Sequence, residues 1–290
     1  MNMPADFARW IILAAVMVAS GRPVIARAQT ERPATFEAVA AASGAGGGES
    51  NEDLAKKTQN PVADLISVPF QNNFDFGVGP EERTVWNLNI QPVIPFHLTE
   101  RWNLVTRTIL PVNHVPQLAP RGESVSGIGD LNPSFFLSPA DAKTFVWGVG
   151  PTMTFPTASD RQLGKGNWSM GPAAVGLFIK GPWVVGALAN QQWSFAGWGK
   201  RPTNAFLLQP FLNYNFKGGW YLTSSPIITG NFSVGSGDHW VVPLGGGGGK
   251  IVRLGAVPFN ISLAAYGNVV TPTDGPDWQL RFQVAALFPE

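Results

Sequence analysis

Residues Val85–Phe96 read VWNLNIQPVIPF. Trp86, Leu88, Ile90, Ile94 and Phe96 fall on one face of an extended chain, and Asn87, Asn89 and Gln91 on the other. Side chains of a β-strand alternate between faces, so this stretch predicts a strand with one apolar and one polar side. The pattern recurs, punctuated by turn residues, near residues 65–75, 84–96, 101–111, 128–138, 144–155, 170–180, 183–195, 204–216, 219–233, 239–252, 258–270 and 277–288. Beyond residue 30 no apolar run approaches the roughly eighteen residues of a membrane helix. In hydrocarbon every backbone polar group needs an internal partner, so strands cross a bilayer only as a closed barrel. The expected fold is all-β: a transmembrane antiparallel β-barrel of about twelve strands, an even number as single-chain bacterial barrels require.

Connections alternate in kind. Leu98–Glu100, Pro139–Lys143, Lys180–Pro182, Lys217–Gly219 and Arg253–Val257 are tight; others, such as Asn113–Ser126 and Thr157–Trp168, are longer. Short periplasmic turns and longer external loops produce that alternation and put both mature termini in the periplasm. Trp86, Trp102, Trp168, Trp183, Trp220, Trp240 and Trp278 sit at strand ends, as interfacial girdles require. The last strand, WQLRFQVAALF, puts Trp278, Leu280, Phe282, Val284 and Phe288 on one face and ends in Phe, the feature the outer-membrane assembly machinery reads.

Composition agrees. Charged residues are 13% of the chain and aromatics 11%, whereas soluble domains carry about 25% charge. Mean hydropathy is only +0.05, so polar and apolar residues are finely interleaved. A water-soluble β-sandwich would also alternate, but it would need more surface charge and fewer Trp at strand ends. The net charge is +1 and no basic block appears, so nucleic acid is not an expected partner. With no cysteine, thiol chemistry, disulfides and zinc–thiolate sites are excluded. Prolines at 92, 133, 151, 210 and 226 fall inside predicted strands, where each removes a ladder donor.

The organisation reads as three parts. Residues 1–28 form a signal peptide: Arg9 precedes a short apolar run from Trp10 to Ala19, and Ala26-Arg27-Ala28 is an A-x-A cleavage site. Residues 29–60, rich in Ala, Gly and Ser, are expected as a flexible periplasmic segment. Within them Asn51–Lys57 suits a helical turn or two, lying in the periplasm or tucked into the barrel mouth. Residues 61–290 form the barrel.

Several long motifs resemble one family in their order: NPVADLISVPFQNN from Asn60, IQPVIPF from Ile90, TRTILPV from Thr106, GIGDLNPSFFLSP from Gly127, WGVGPTMTFPTAS from Trp147, LGKGNWSMGPA from Leu163, NYNFKGGWYLTSSPIITGNF from Asn213 and PLGGGGGK from Pro243. The family is that of outer-membrane transporters labelled "MetA-pathway of phenol degradation". The resemblance spans about residues 60–289. It implies a β-barrel in the Gram-negative outer membrane, passage of aromatic or other hydrophobic compounds, and no catalytic motif.

Extending the alternation inward gives the candidate lumen: Asp75, Asn89, Gln91, Arg101, Arg107, Asp130, Gln209, Asn213, Arg281 and Gln283. Asp75 or Asp130 facing Arg107 or Arg281 is expected to pair across the lumen. That pairing serves either a satisfied polar plug in a narrow barrel or a selectivity ring of opposed charges. Asn and Gln outnumber charges there, which favours weakly polar solutes. Gly245, Gly246, Gly247, Gly248 and Gly249 form a run inside a strand, where glycine permits bending or close backbone approach. The run, or the strand prolines, would provide a lateral exit for hydrophobic cargo. It is no phosphate loop, because Ile251 stands where that motif needs Ser or Thr.

Twelve-stranded barrels also include lipid hydrolases, which need a nucleophile activated by a nearby base. Of three histidines, His97 falls at a periplasmic turn and His114 and His239 on the external side. No H-x-S pair lies on a strand, and two external histidines do not make a metal site. Three readings are carried forward: a passive channel for small hydrophobic or aromatic solutes; a structural or plugged barrel; and, least favoured, a lipid hydrolase. No cofactor or metal is expected. The expected partners are small solutes, membrane lipids and lipopolysaccharide, and the assembly machinery; the sequence does not speak to oligomeric state.

Overall fold

The computed structural model describes residues 49–118, 122–233 and 239–289. The proposed signal peptide and residues 29–48 lie outside the described residues. Twelve antiparallel strands close into one barrel. They are β1 (Ile66–Val78), β2 (Arg83–Ile90 and Val93–His97), β3 (Trp102–Val115), β4 (Val125–Ile128 and Asn132–Pro139), β5 (Phe145–Thr154), β6 (Asn167–Lys180), β7 (Trp183–Gly197), β8 (Asn204–Asn215), β9 (Trp220–Ser224 and Ile228–Asn231), β10 (Trp240–Leu254), β11 (Val257–Val270) and β12 (Trp278–Phe288). Each strand pairs with its neighbours in sequence. The seam between β1 and β12 is continuous from Ile66↔Phe288 to Phe76↔Trp278, so no sheet edge remains.

Both ends of the described chain lie at one end of the barrel. There the connections are residues 98–101, 140–144, 181–182, 216–219 and 255–256. The opposite end carries longer loops, apart from the turn at 79–82. Aromatics form two outward belts. Trp102, Trp147, Trp183 and Trp220 lie near the end that carries the termini, and Trp86, Trp168, Trp193, Trp240 and Trp278 near the other. Between the belts the wall exposes Leu137, Val149, Val185, Leu212, Leu222 and Leu263, among others. Water would not tolerate an exposed apolar surface of that extent, whereas lipid requires it.

The prolines fall where their missing donors do least harm. The register on either side of the break in β9, Leu212↔Ser224 and Leu208↔Ile228, sets Pro210 opposite Pro226. Pro151 pairs with Pro172. At the break in β2 the ladder survives around Pro92, because the Gln91 amide donates to the Pro69 carbonyl at 2.9 Å and the Thr108 amide to the Pro92 carbonyl at 3.1 Å. The break in β4 is a bulge: Val112↔Ile128 and Ile109↔Asn132 differ by one residue in register.

At Ser225–Ile227, β9 is unpaired on both sides. Side chains from inside the barrel close that defect. Ser225 N–H donates to the Tyr266 hydroxyl at 3.2 Å, the Ser225 carbonyl accepts from Arg281 Nη1 at 2.9 Å, and Ser225 Oγ accepts from Gln209 Nε2 at 3.2 Å. The glycine run faces this defect but is itself laddered, from Gly245↔Tyr266 to Gly249↔Ser262 on β11 and from Gly247 to Gly249 on β9. Its function is close approach: a Cβ on Gly247 would lie 1.9 Å from the Leu263 carbonyl oxygen.

Two outcomes follow for the wall. Gly247→Ala drives a methyl into backbone and is expected to cost about 1–3 kcal/mol or more, whereas Gly267→Ala, with nothing within 4 Å of its Cβ, is neutral. Denaturant titration of the heat-modifiable folded band in lipid vesicles checks this; equal midpoints would refute close approach. Tyr266→Phe leaves the Ser225 N–H without its acceptor, at a cost of about 1–3 kcal/mol. Hydrogen exchange of residues 224–228 should then speed up while the β1–β12 seam is unchanged.

Candidate functional site: the barrel lumen

The barrel interior is layered. Its floor, at the end carrying the termini, is the helix α1 (Asn51–Thr58). Ser50 caps it, accepting from Asp53 N at 3.1 Å; Glu52 and Asp53 lie in the first turn and Lys56 and Lys57 in the last, in accord with the helix dipole. Eight residues are too few for an isolated helix to persist in water, so the barrel holds it. Leu54 and Ala55 are fully buried against Leu65, Tyr221, Ile251, Ala285 and Leu287, inward side chains of the barrel and the segment leading into it. Polar ties fix the rest. Arg253 donates to Asn51 Oδ1 at 2.9 Å and to the Glu49 carbonyl at 2.5 Å. Gln59 and Asn215 exchange amide hydrogen bonds at 2.9 and 3.0 Å, Asn260 donates to Thr58 Oγ1 at 3.2 Å, and Lys57 pairs with Glu49. Of the two places the sequence left open for Asn51–Lys57, the structure shows the barrel mouth.

Beside the helix the interior is apolar. Val105, Phe136, Val146, Val175, Leu177, Val184, Leu188 and Phe211 face inward from β3 to β8 and close over Val62. This adds an apolar side to the lumen, where the sequence showed Asn and Gln outnumbering charges. Inner apolar positions on β6 and β7 are flanked by apolar outer ones, so alternation in polarity does not reveal them.

Above this floor lies a cavity of about 180 Å³. Of the candidate lumen residues, Gln91, Arg107, Gln209, Asn213, Arg281 and Gln283 line it. Tyr221 and Phe211, missed in the sequence, line it too; Phe211 was readable by parity, between Gln209 and Asn213. Arg107 Nη2 donates to Gln91 Oε1 at 2.7 Å. The Arg281 guanidinium donates to Asn73 Oδ1 at 3.3 Å, Gln279 Oε1 at 2.9 Å and the Ser225 carbonyl, and lies 4.7 Å from the centroid of the Tyr266 ring.

The layer above is amide-rich. Asn73, Asn87 and Asn113 form a ladder across β1, β2 and β3, with links of 3.1 and 2.6 Å. Asn89 stands opposite Gln71. Asp75 accepts from Gln279 Nε2 at 2.8 Å. The expected Asp–Arg pairs are not formed: among the described residues no ion pair joins Asp75 or Asp130 to Arg107 or Arg281. Gln279 stands between Asp75 and Arg281 and bonds to both. Asp130 sits at the β4 bulge, which re-aims it at a loop; it accepts from Ala158 N at 3.2 Å and Lys165 N at 2.7 Å. That loop, residues 155–166, folds over the inner face of β4, where Gly127 and Gly129 leave room for Ser159 and Leu163. Arg101 precedes β3 in an exposed turn, outside the lumen.

The histidines are dispersed. His97 donates to Asp64 at 3.0 Å, tying residues 61–65 to β2. His239 donates to the Asn231 carbonyl at 3.0 Å, and its sequence neighbour Asp238 lies outside the described residues. His114 Nδ1 is 2.7 Å from Ser126 Oγ, both exposed. No cluster of three or more His, Cys, Asp or Glu side chains able to hold a metal occurs among the described residues.

No protein-family model matches the chain, and no curated protein does. Among solved structures it is similar to the COG4313 outer membrane channel from Pseudomonas putida F1, with a TM-score of 0.59 at 16% identity, covering 77% of this chain and 94% of that one. Weaker likenesses are to LpxR from Salmonella typhimurium, with a TM-score of 0.41 at 8% identity over 77% of this chain and 100% of the other, and to outer membrane phospholipase A from Escherichia coli, with 0.40 at 11% over 78% and 98%. The first likeness is one of fold: the chain is a twelve-stranded barrel of the kind outer-membrane channels use.

Proposed function

We propose that the protein is an outer-membrane channel that passes small solutes, aromatic ones among them, by diffusion, and that α1 closes its periplasmic mouth at rest. The observation carrying this reading is the cavity itself. A barrel with a purely structural role would fill its interior with side chains, whereas here polar and aromatic groups surround open space directly above a helix. Twelve strands lie between the eight whose interior side chains fill and the sixteen or more that hold a water channel, so a narrow path with a movable floor is the natural outcome. The shared fold with the COG4313 channel supports the same reading, as does the resemblance of the ordered motifs to the phenol-degradation transporters. Tyr221, Tyr266 and Phe211 in the cavity suit an aromatic solute. Catalysis has no comparable support: the His114–Ser126 contact is exposed, and among the described residues no carboxylate hydrogen-bonds the His114 ring.

The floor is removable by one charge. Leu54→Asp would bury a carboxylate among Ile251, Ala285 and Leu287, at a cost of several kcal/mol that undocking of α1 avoids. In planar bilayers the wild-type protein should show small or rare openings and Leu54→Asp a severalfold higher conductance, the barrel remaining heat-modifiable. If folded Leu54→Asp gives no ion or solute flux above a protein-free bilayer, the channel reading is lost. If wild type and variant conduct equally, the helix is not the floor.

A further inference from the structure

The cavity has an unbalanced charge. Lys57, Arg107 and Arg281 line it, and among the described residues no Asp or Glu does. Lys57 is neutralised by Glu49. Arg281 reaches Asp75 only through Gln279. Arg107 takes a neutral amide oxygen, Gln91 Oε1, which occupies one of the five N–H donors a guanidinium offers. The rest of its side chain lines the cavity.

A half-buried cation facing only neutral acceptors lacks the partner charge that best compensates its partial loss of water. The geometry of the rest of the cavity is specific about what completes it. Among a largely polar lining, Pro69, Val93, Phe211, Tyr221, Ala264 and Tyr266 contribute apolar or aromatic surface. The volume of about 180 Å³ is comparable with the roughly 150 Å³ that accommodates one benzene molecule. A planar fork of N–H donors matches a carboxylate bidentately.

We infer that the lumen cavity is a binding site for a small organic carboxylate, with Arg107 as its principal anchor, Arg281 as a second positive charge and the Tyr/Phe side as the seat of the organic body. This rests on the channel reading and names the solute class of the same path. It changes the expectation drawn from the amide-rich alternation, which favoured uncharged solutes. Arg281 already stitches the β9 defect, so Arg107 is the residue whose charge is free for a solute.

The test uses full-length refolded protein in detergent micelles, with benzoate as probe and benzamide as its uncharged twin, read by calorimetry. Benzoate should bind and benzamide should not, and Arg107→Gln should weaken benzoate by about tenfold or more, the loss of a charge-assisted hydrogen bond. Arg107→Lys, which keeps the charge without the fork, should fall between them. If Arg107→Gln fails to fold, the wild type titrated at rising chloride serves instead: benzoate affinity must fall with salt. Equal binding of benzoate and benzamide overturns the inference. So does an unchanged benzoate affinity in folded Arg107→Gln, a benzoate affinity that does not fall with salt, or no benzoate binding to either the wild type or Leu54→Asp. Binding is measured without a bilayer, so a protein that binds benzoate but passes no current separates this site from the channel reading.

Discussion

Every backbone N–H and C=O of a chain in hydrocarbon must find its partner within the protein, and the rest of this structure depends on that requirement. It forces the continuous β1–β12 seam. It pairs proline with proline across strands, at Pro151–Pro172 and in the Pro210–Pro226 register. Where β9 leaves its ladder at Ser225, it draws Tyr266 and Arg281 from two and three strands along the wall to serve as hydrogen-bond partners. A charged side chain in the middle of the barrel is thus first a consequence of how the wall is built.

A twelve-stranded cylinder then has an interior to account for. One layer of side chains does not fill it, and lipid-level apolar filling everywhere would leave no passage. The chain divides the space. The β3–β8 side is packed with Val, Leu and Phe around Val62. The other side takes a short helix whose one apolar corner, Leu54–Ala55, fits between Ile251 and Leu287. The helix is held by a small apolar contact and a few polar ties to Asn215, Arg253 and Asn260, whereas each strand is laddered to a neighbour on either side. Local opening draws on the least-connected element, so the floor moves before the wall does.

This hierarchy decides what was legible in the sequence. VWNLNIQPVIPF declares both its faces because its inner residues are polar and its outer ones apolar, and the break at Pro92 leaves the parity intact. Strands with a polar inner face were readable on that contrast. The apolar interior was not, because on β6 the run GPAAVGLFIK is apolar on both faces and only the fold sorts Val175 and Leu177 inward. Asp130 keeps strand parity on paper, but a one-residue bulge turns its carboxylate onto a loop. The helix NEDLAKKT carries its cap and its charge pattern locally, yet its seat is formed by residues some 200 positions away, such as Ile251 and Arg253. Sequence pattern reports faces and ends; it does not report which long-range partner satisfies which group.

The same limit explains why the lumen charges were read as pairs. Alternation put Asp75 and Arg281 on neighbouring inward faces, and opposite charges at contact distance in a site of intermediate dielectric attract by about 4 kcal/mol. The register sets Asp75 against Gln279, and Arg281 against Asn73. The carboxylate is therefore satisfied by an amide before it can reach the guanidinium, and the amide passes its oxygen to Arg281. That relay leaves the acid above the cavity and the two arginines on its wall, separating charge along the barrel axis. From the loop end inward, β1 places Asp75 first, then Asn73 with its ladder to Asn87 and Asn113 and with Arg281 across the seam, then the level of Arg107, and last the helix. On the proposed carboxylate reading, this arrangement favours a solute that carries its charge on one end and an apolar body on the other over a bare inorganic ion, because the arginines take the charged end while the tyrosines and Phe211 compensate the desolvated remainder.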